Sequence, residues 1–266
     1  MVEKMDDKSE LAWPEDVREM CEMKAANYNV SPAVHVDDFI FRFIFDNPCF
    51  KKKSGAVNYY FSDGNNSAKK VKSAIDKWLL PSDSNLKILE FASGYGAVTR
   101  HAKDLLQPHE LRSCDIHSEA VEFILRELGV ATVQSSEVPE NLEFPEQYDM
   151  IYVLSFFSHM PELTWGRWLQ RLYAGLKEGG VLLFTTHGKV SMKYFPKAKL
   201  NSSGYWFEMS SEQKDLDVSS YGQTITSKDY VDAQIAELPG LQILEYKEAG
   251  WWEHQDLYVL RKPVLE

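Results

Sequence analysis

Cysteine is scarce and scattered in this chain: Cys21, Cys49 and Cys114 form no C-x-x-C pair, and their spacing suits neither zinc nor an iron–sulfur cluster. No metal site is expected, and the three thiols are expected to be reduced and mostly buried, as in a cytoplasmic protein. Long apolar runs are missing too. The most apolar stretch, "DDFIFRFIFDNP", is broken by Arg42 and closed by Asp46, so neither a membrane span nor a membrane partner is expected. The N-terminal "MVEKMDDKSELAWPEDVREM" has none of the apolar centre of a secretion signal. Positive charge is in deficit, with 29 Lys and Arg against 40 Asp and Glu and a formal net charge of −11. Such a surface repels phosphate backbones, which argues against a nucleic-acid partner. Internal repeats and low-complexity tracts are absent.

What the sequence does contain is an alternation of helical and strand patterns from Ser67 onwards. Val71, Ile75, Trp78 and Leu79 share one face of a helix that Pro81 is expected to stop. "LKILEF" then reads as a strand, and Val98, Ala102 and Leu105 as a helical stripe ending near Pro108. "LRSCDI" is a second strand. After it, Ser118 is the expected N-cap of a helix burying Val121, Ile124, Leu125 and Leu128 before Gly129. "ATVQ" and "YDMIYVLSF" supply two more strands. "ELTWGRWLQRLYAGLKEGG" is the strongest helix, with a stripe of Trp165, Trp168, Leu169, Leu172 and Leu176 and an expected end at Gly179–Gly180. "VLLFTTH", a helix over about 227–238, and the pair "LQILEYKE" and "DLYVLRK" complete the series.

Strands and helices in alternation predict an α/β fold, a mostly parallel sheet with helices on both faces, because parallel neighbours need crossover connections. Residues 1–56 are expected to form an N-terminal helical extension or lid. The main domain is expected over 57–266. Within it, 188–226 lacks clean periodicity, and an aperiodic excursion of that length reads as a functional insertion.

Open parallel sheets bind ligands beyond the C-terminal ends of their strands. "EFASGYG", Glu90 to Gly96, stands at such a place. Gly94 and Gly96 permit a tight turn and leave the backbone open to a ligand. Glu90 puts a carboxylate immediately before the glycines, which suits a ligand carrying positive charge and disfavours a pyrophosphate. Asp115 ends the second strand, where an acidic side chain can take both hydroxyls of a ribose.

"LEFASGYGAVTRH", "CDIHSEAVEFI", "YDMIYVLSFFSHMPE" and "GLKEGGVLLFTTHG", in this order, resemble the class I S-adenosylmethionine-dependent methyltransferases, from about Val57 to the C-terminus. The resemblance implies a Rossmann-like seven-stranded sheet in the order 3-2-1-4-5-7-6, its last strand antiparallel, and S-adenosyl-L-methionine as cofactor. It implies a cofactor loop of Glu90, Ala92, Gly94 and Gly96. By the same resemblance Asp115 and Ile116 hold the ribose and flank the adenine, Ser136 and Glu137 lie at the adenine edge, and Leu154 and Ser155 lie near the methionine. "NYYFSDGNNSA" resembles a segment folded over the cofactor, which makes Tyr60 a further candidate. Two positions depart from the pattern: Ala92 replaces the first loop glycine, and Ser136 replaces an Asp often found beside the adenine amino group.

Methyl transfer from a sulfonium is a direct displacement, so alignment and exclusion of water are the main demands on a protein. An oxygen acceptor also needs a base. His159 and His187 follow the fourth and fifth strands, at the ligand end of the sheet, and are the catalytic candidates, with Tyr221 and His254 as weaker ones. The expected function is methyl transfer to a small-molecule acceptor, such as a sugar or natural-product hydroxyl. A non-catalytic methyltransferase-like binding module is the alternative. A nicotinamide-dependent oxidoreductase is disfavoured, since its fingerprint wants a third small residue where Thr99 stands. "YWF" at 205–207 and "WW" at 251–252 read either as pocket walls or as packing, and "KKK" at 51–53 as a solvated turn.

Overall fold

The computed structural model describes residues 12–79 and 85–264; Pro81 lies outside the described residues. Three helices come first: α1 (Glu15–Ala26), α2 (Phe39–Phe45) and α3 (Lys53–Trp78). The sheet then begins with β1 (Lys87–Phe91), followed by α4 (Thr99–Leu105), β2 (Glu110–Asp115), α5 (Ser118–Phe123), β3 (Ala131–Gln134), β4 (Tyr148–Val153), α6 (Glu162–Ala174) and β5 (Leu176–His187). An inserted hairpin, β6 (Tyr205–Glu208) and β7 (Gln223–Thr226), precedes α7 (Lys228–Ala236), β8 (Gln242–Trp251) and β9 (Gln255–Arg261).

The seven-stranded sheet runs β3-β2-β1-β4-β5-β9-β8. Leaving out the inserted hairpin, this is the 3-2-1-4-5-7-6 order implied by the resemblance. The first five strands are parallel, and β9 runs antiparallel between β5 and β8. Successive residues of a strand face opposite sides. Leu89, Ile151 and Leu182 pack with Trp165, Leu169 and Leu172 of α6 and Val231 of α7, while Ile88, Met150 and Leu183 pack with Val71 and Ile75 of α3 and Ala102 of α4. Burial on both faces is why these strands read as continuous apolar runs.

The local structure departs from the sequence pattern at five points. Helix α3 starts at Lys53, so "NYYFSDGNNSA" is one part of a 26-residue helix. Its Gly64 is there for close packing, because a Cβ at that position would come within 2.2 Å of the Ala97 carbonyl oxygen in the loop after β1. Helix α5 has His117, not Ser118, at its N-cap. It passes into a π-helical turn over Ile124–Leu128, whose extra residue leaves Leu125 57% exposed while Ile124 and Leu128 stay buried. Helix α6 ends at Gly175, and Leu176 already belongs to β5. The stretch expected to be irregular contains the β6–β7 hairpin, in which Tyr205 is buried and donates to the Met160 carbonyl at 2.6 Å.

The N-terminal helices pack on α3. Val17 and Cys21 of α1 and Phe41 of α2 form one cluster with Val57, Tyr60 and Phe61. Asp38 caps α2 by accepting from Phe41 N at 2.9 Å and takes the Tyr60 hydroxyl at 2.7 Å. Arg100 of α4 is buried below these groups. It donates to Tyr60, to the Ser31 and Ala33 carbonyls and to Gly96 O, tying the extension to the glycine loop. Among the described residues no helix is long and apolar enough to cross a membrane.

Candidate functional site

The chain leaves β1 through a run of left-handed backbone: Ala92 at φ 57°, Gly94 at 53° and Gly96 at 79°. The two glycines do different things. A Cβ at Gly94 would meet nothing within 4 Å, so the backbone there faces open space. At Gly96 it would strike Leu128 Cδ1 at 2.6 Å, so this glycine lets the loop seat against the π turn. Ala92 holds the left-handed conformation at a steric cost that glycine lacks. Ala92→Gly is therefore expected to raise the unfolding free energy by roughly 0.5–1 kcal/mol in denaturant titrations. An unchanged or lowered value would show that the loop strain is not where the dihedrals put it.

Glu90 and Asp115 come together at neighbouring strand tips. Glu90 is buried, with Oε2 accepting from the Thr99 hydroxyl at 2.6 Å, and that hydroxyl lies 3.2 Å from Ser113 Oγ. Burial pushes its carboxyl up to about 7, against the stabilising hydrogen bond from Thr99. Asp115 accepts from Gly94 N at 2.7 Å through Oδ2, and from His117 N and Nδ1 at 3.0 and 2.8 Å through Oδ1. The hydrogen bond to Asp115 holds His117 above its ordinary pKa. His117 Nε2 lies 2.8 Å from Asp215, which ties the loop between β6 and β7 to the tip of β2.

Both carboxylates open onto a cavity of about 780 Å³ beyond the C-terminal ends of the strands. Ala92, Gly94, Ile116, Ser136, Glu137, Leu154 and Ser155 line it as well. Phe39 and Ile40 of α2 reach it from the extension, and Glu212 and Tyr221 from the insertion. Ser155 has the left-handed φ of 61° and receives the Gln255 amide on its hydroxyl at 2.9 Å. Seven carboxylates line the cavity, adding Asp38, Asp63 and Asp217 to those named, and no Lys or Arg among the described residues does.

His159 lines the cavity; His187 does not. The His159 ring stacks on Tyr221 at 4.4 Å between centroids, and Nδ1 lies 2.7 Å from the Gly222 carbonyl, which it can only reach as a donor. The lone pair is thereby left on Nε2. Burial lowers its pKa, against the raising effect of Glu212. His187 packs against His159, Phe195 and His254, and burial pushes it down to about 3. Tyr60 and Gly96 also lie outside the cavity wall, Tyr60 being held between Asp38 and Arg100. Of the aromatic groups, Trp252 lines the cavity and donates to Asp63 at 2.8 Å, while Trp251 is core. Lys53 of the basic triplet pairs with Asp46 at 3.0 Å. The cysteines are free, Cys49 exposed and the other two buried.

Sequence reasoning missed His117, Asp63 and Glu212. His117 stands two residues after Asp115, so the strand-end position was a usable signal. Asp63 sits in a polar part of α3, and Glu212 in the stretch without periodicity.

Residues 89–182 match the family described as a methyltransferase domain. No curated protein matches the chain. Among solved structures, the chain is similar to the glycopeptide N-methyltransferase MtfA complexed with S-adenosyl-L-methionine, at a TM-score of 0.52 and 11% identity, over 76% of this chain and 95% of that one. It is similar to an S-adenosylmethionine-dependent methyltransferase from Clostridium acetobutylicum at 0.52 and 13%, over 77% and 92% of the two chains. A third likeness, at 0.50 and 13%, is to the N-methyltransferase NodS from Bradyrhizobium japonicum, over 78% and 98%. At such identities the likeness is one of fold.

Proposed function

We propose, from the premise that residues 89–182 form a methyltransferase domain, that this protein binds S-adenosylmethionine in the strand-tip cavity and transfers its methyl group to a small-molecule acceptor. The observation that carries this is the pairing of two buried carboxylates, Glu90 and Asp115, on one wall beside a backbone left open at Gly94. The charged form of Glu90 suits a cation beside it, and two hydroxyl donors suit Asp115. When bound, the cofactor supplies an electrophilic methyl carbon on a positively charged sulfur.

The protein's own groups do the rest. Asp115 accepts the ribose hydroxyls, with its orientation already fixed by Gly94 N and His117. Ile116, Ser136 and Glu137 border the base, and Leu154 and Ser155 the methionine end. Phe39 and Ile40 on one side and the insertion on the other narrow the opening, which excludes water and aligns the acceptor. His159 Nε2 is placed to take a proton from the acceptor. His187, pushed down to about 3 by burial, packs against the His159 ring from outside the cavity wall.

His159→Ala is expected to slow turnover by about a hundredfold while leaving the affinity for S-adenosylhomocysteine unchanged. Radiolabelled methyl incorporation into fractionated metabolites, with calorimetry on the same samples, measures both. An unaltered rate removes His159 from the chemistry.

A further inference from the structure

Resting on the methyltransferase reading above, we propose that the acceptor is a cationic amine, gripped between Glu212 and His159 and methylated on nitrogen. Two facing hydrogen-bond acceptors carry the inference. His159 spends its Nδ1 proton on the Gly222 carbonyl at 2.7 Å, so Nε2 of the neutral ring can only accept. The side chain is 6% exposed, and Nε2 makes no hydrogen bond among the described residues. Its charged neighbour is Glu212 Oε1 at 3.8 Å. The other oxygen of Glu212 already accepts the Gln223 amide at 2.8 Å. His159 and Glu212 border the same cavity, and their Nε2 and Oε1 atoms stand 3.8 Å apart as two acceptors.

Glu212 is partly exposed, so water can serve this pair in the open cavity, and a ligand that displaces that water has to bring hydrogens of its own. A hydroxyl has one and can satisfy one partner. A carboxylate or phosphate has none to give and is repelled by Glu212. An ammonium has three hydrogens and a positive charge, and serves both atoms at once. An amine must lose a proton before it can act as a nucleophile; Nε2 of the neutral His159 ring is free to receive it, and Glu212 raises the affinity of that ring for the proton against the lowering effect of burial.

The rest of the wall agrees. Seven carboxyl groups and no Lys or Arg among the described residues line the cavity; burial pushes Glu90, Asp38 and Asp63 toward their neutral forms, and the remaining carboxylates favour cations over anions. Three of the seven, Glu90, Asp115 and Glu137, are assigned to the cofactor, Asp38 accepts from Phe41 N and the Tyr60 hydroxyl, and Asp63 accepts from the half-buried Trp252. Glu212 is the carboxylate that reaches the cavity beside the base. Phe156, Met160 and Trp168 supply apolar and aromatic surface for the carbon frame of an amine.

In the reaction the ammonium gives one proton to His159 Nε2. The freed nitrogen lone pair then forms the N–C bond as the C–S bond breaks, and the electron pair of that bond stays on sulfur. The methylated ammonium and S-adenosylhomocysteine leave, and the imidazolium returns its proton to solvent past Glu212. One proton is released per turnover.

The test uses the full chain saturated with S-adenosylhomocysteine and titrated calorimetrically with matched triplets. These are phenethylamine, 2-phenylethanol and phenylacetate; cyclohexylamine, cyclohexanol and cyclohexanecarboxylate; and glucosamine, glucose and glucuronate. On at least one frame the amine is expected to bind about tenfold or more tightly than its alcohol and its acid. Glu212→Gln is expected to remove that preference without changing the affinity for S-adenosylhomocysteine, which also reports that the variant is folded. Alcohols binding as well as amines on every frame, no amine binding at all, or an amine preference that survives Glu212→Gln would each overturn the proposal while S-adenosylhomocysteine still binds. Failure of S-adenosylhomocysteine itself to bind the wild-type chain would remove the methyltransferase reading and this inference together.

Discussion

Asp115→Ala is expected to weaken binding of S-adenosylhomocysteine by about a hundredfold. The magnitude follows from charge-assisted hydrogen bonds of about 1.5–3 kcal/mol each, two of which the ribose hydroxyls would lose, set against partial recovery by water. Truncation also strands Gly94 N and His117, both of which use this carboxylate. The loop after β1 and the insertion held through Asp215 lose a common anchor. Asp115→Asn, which keeps the shape and one oxygen, is expected to lose less. Calorimetry on variants with wild-type circular dichroism measures this, and an undiminished affinity in Asp115→Ala would end the ribose assignment.

The second large effect is on pH. The carboxyl of Glu90, pushed up to about 7 by burial, carries a proton below neutrality in the unliganded protein. A cationic ligand beside it requires the charged form, so binding has to expel that proton. Affinity for S-adenosylmethionine is therefore expected to fall roughly tenfold between pH 8 and pH 6, through this group, by one-proton linkage. The sign for stability is opposite. A carboxyl whose folded pKa exceeds its unfolded one stabilises the unliganded fold fully below the unfolded value, and that contribution is lost as pH rises through about 7. Unliganded protein is thus expected to become less stable to denaturant across the same window in which it binds better. Glu90→Gln is expected to flatten both profiles, although it weakens binding at pH 8. A wild-type affinity that does not change between pH 6 and 8 would mean that Glu90 does not face the positive charge.

Much of this architecture was readable before any coordinate, for physical reasons that also explain the exceptions. Strands such as β1 and β4 are buried on both faces, so their apolar runs announce themselves, and their order followed from the resemblance carried by the loop and strand ends. Helix α3 begins well before its apolar stripe at Val71 and runs through Gly64, Asn65 and Asn66, which are poor helix formers. Packing of that turn against Ala97 overrides their propensity. Leu125 was read as buried because a 3.6-residue period was assumed through what is a π turn. The β6–β7 hairpin escaped notice because its strands are four residues long and pair across fourteen intervening residues. In the cavity, the positions taken from the glycine loop and the strand ends come together, apart from Gly96, whose contacts are with the π turn. His187 sits outside because proximity in sequence to a strand end does not fix which way a side chain points, and Tyr60 because its hydroxyl is taken up between Asp38 and Arg100. Glu212 had no local pattern to mark it. Only the fold, by laying the insertion over His159, brings it to the cavity.

The most direct test of the central claim is a crystal structure of the full chain with S-adenosylhomocysteine. The ribose hydroxyls are expected within about 3.2 Å of the Asp115 carboxylate oxygens, the homocysteine end beside Glu90 and Leu154, and Gly94 against the ligand without a side chain between. A nucleoside bound elsewhere, or in this cavity with Asp115 turned to His117 alone and no contact to the ribose, would contradict it.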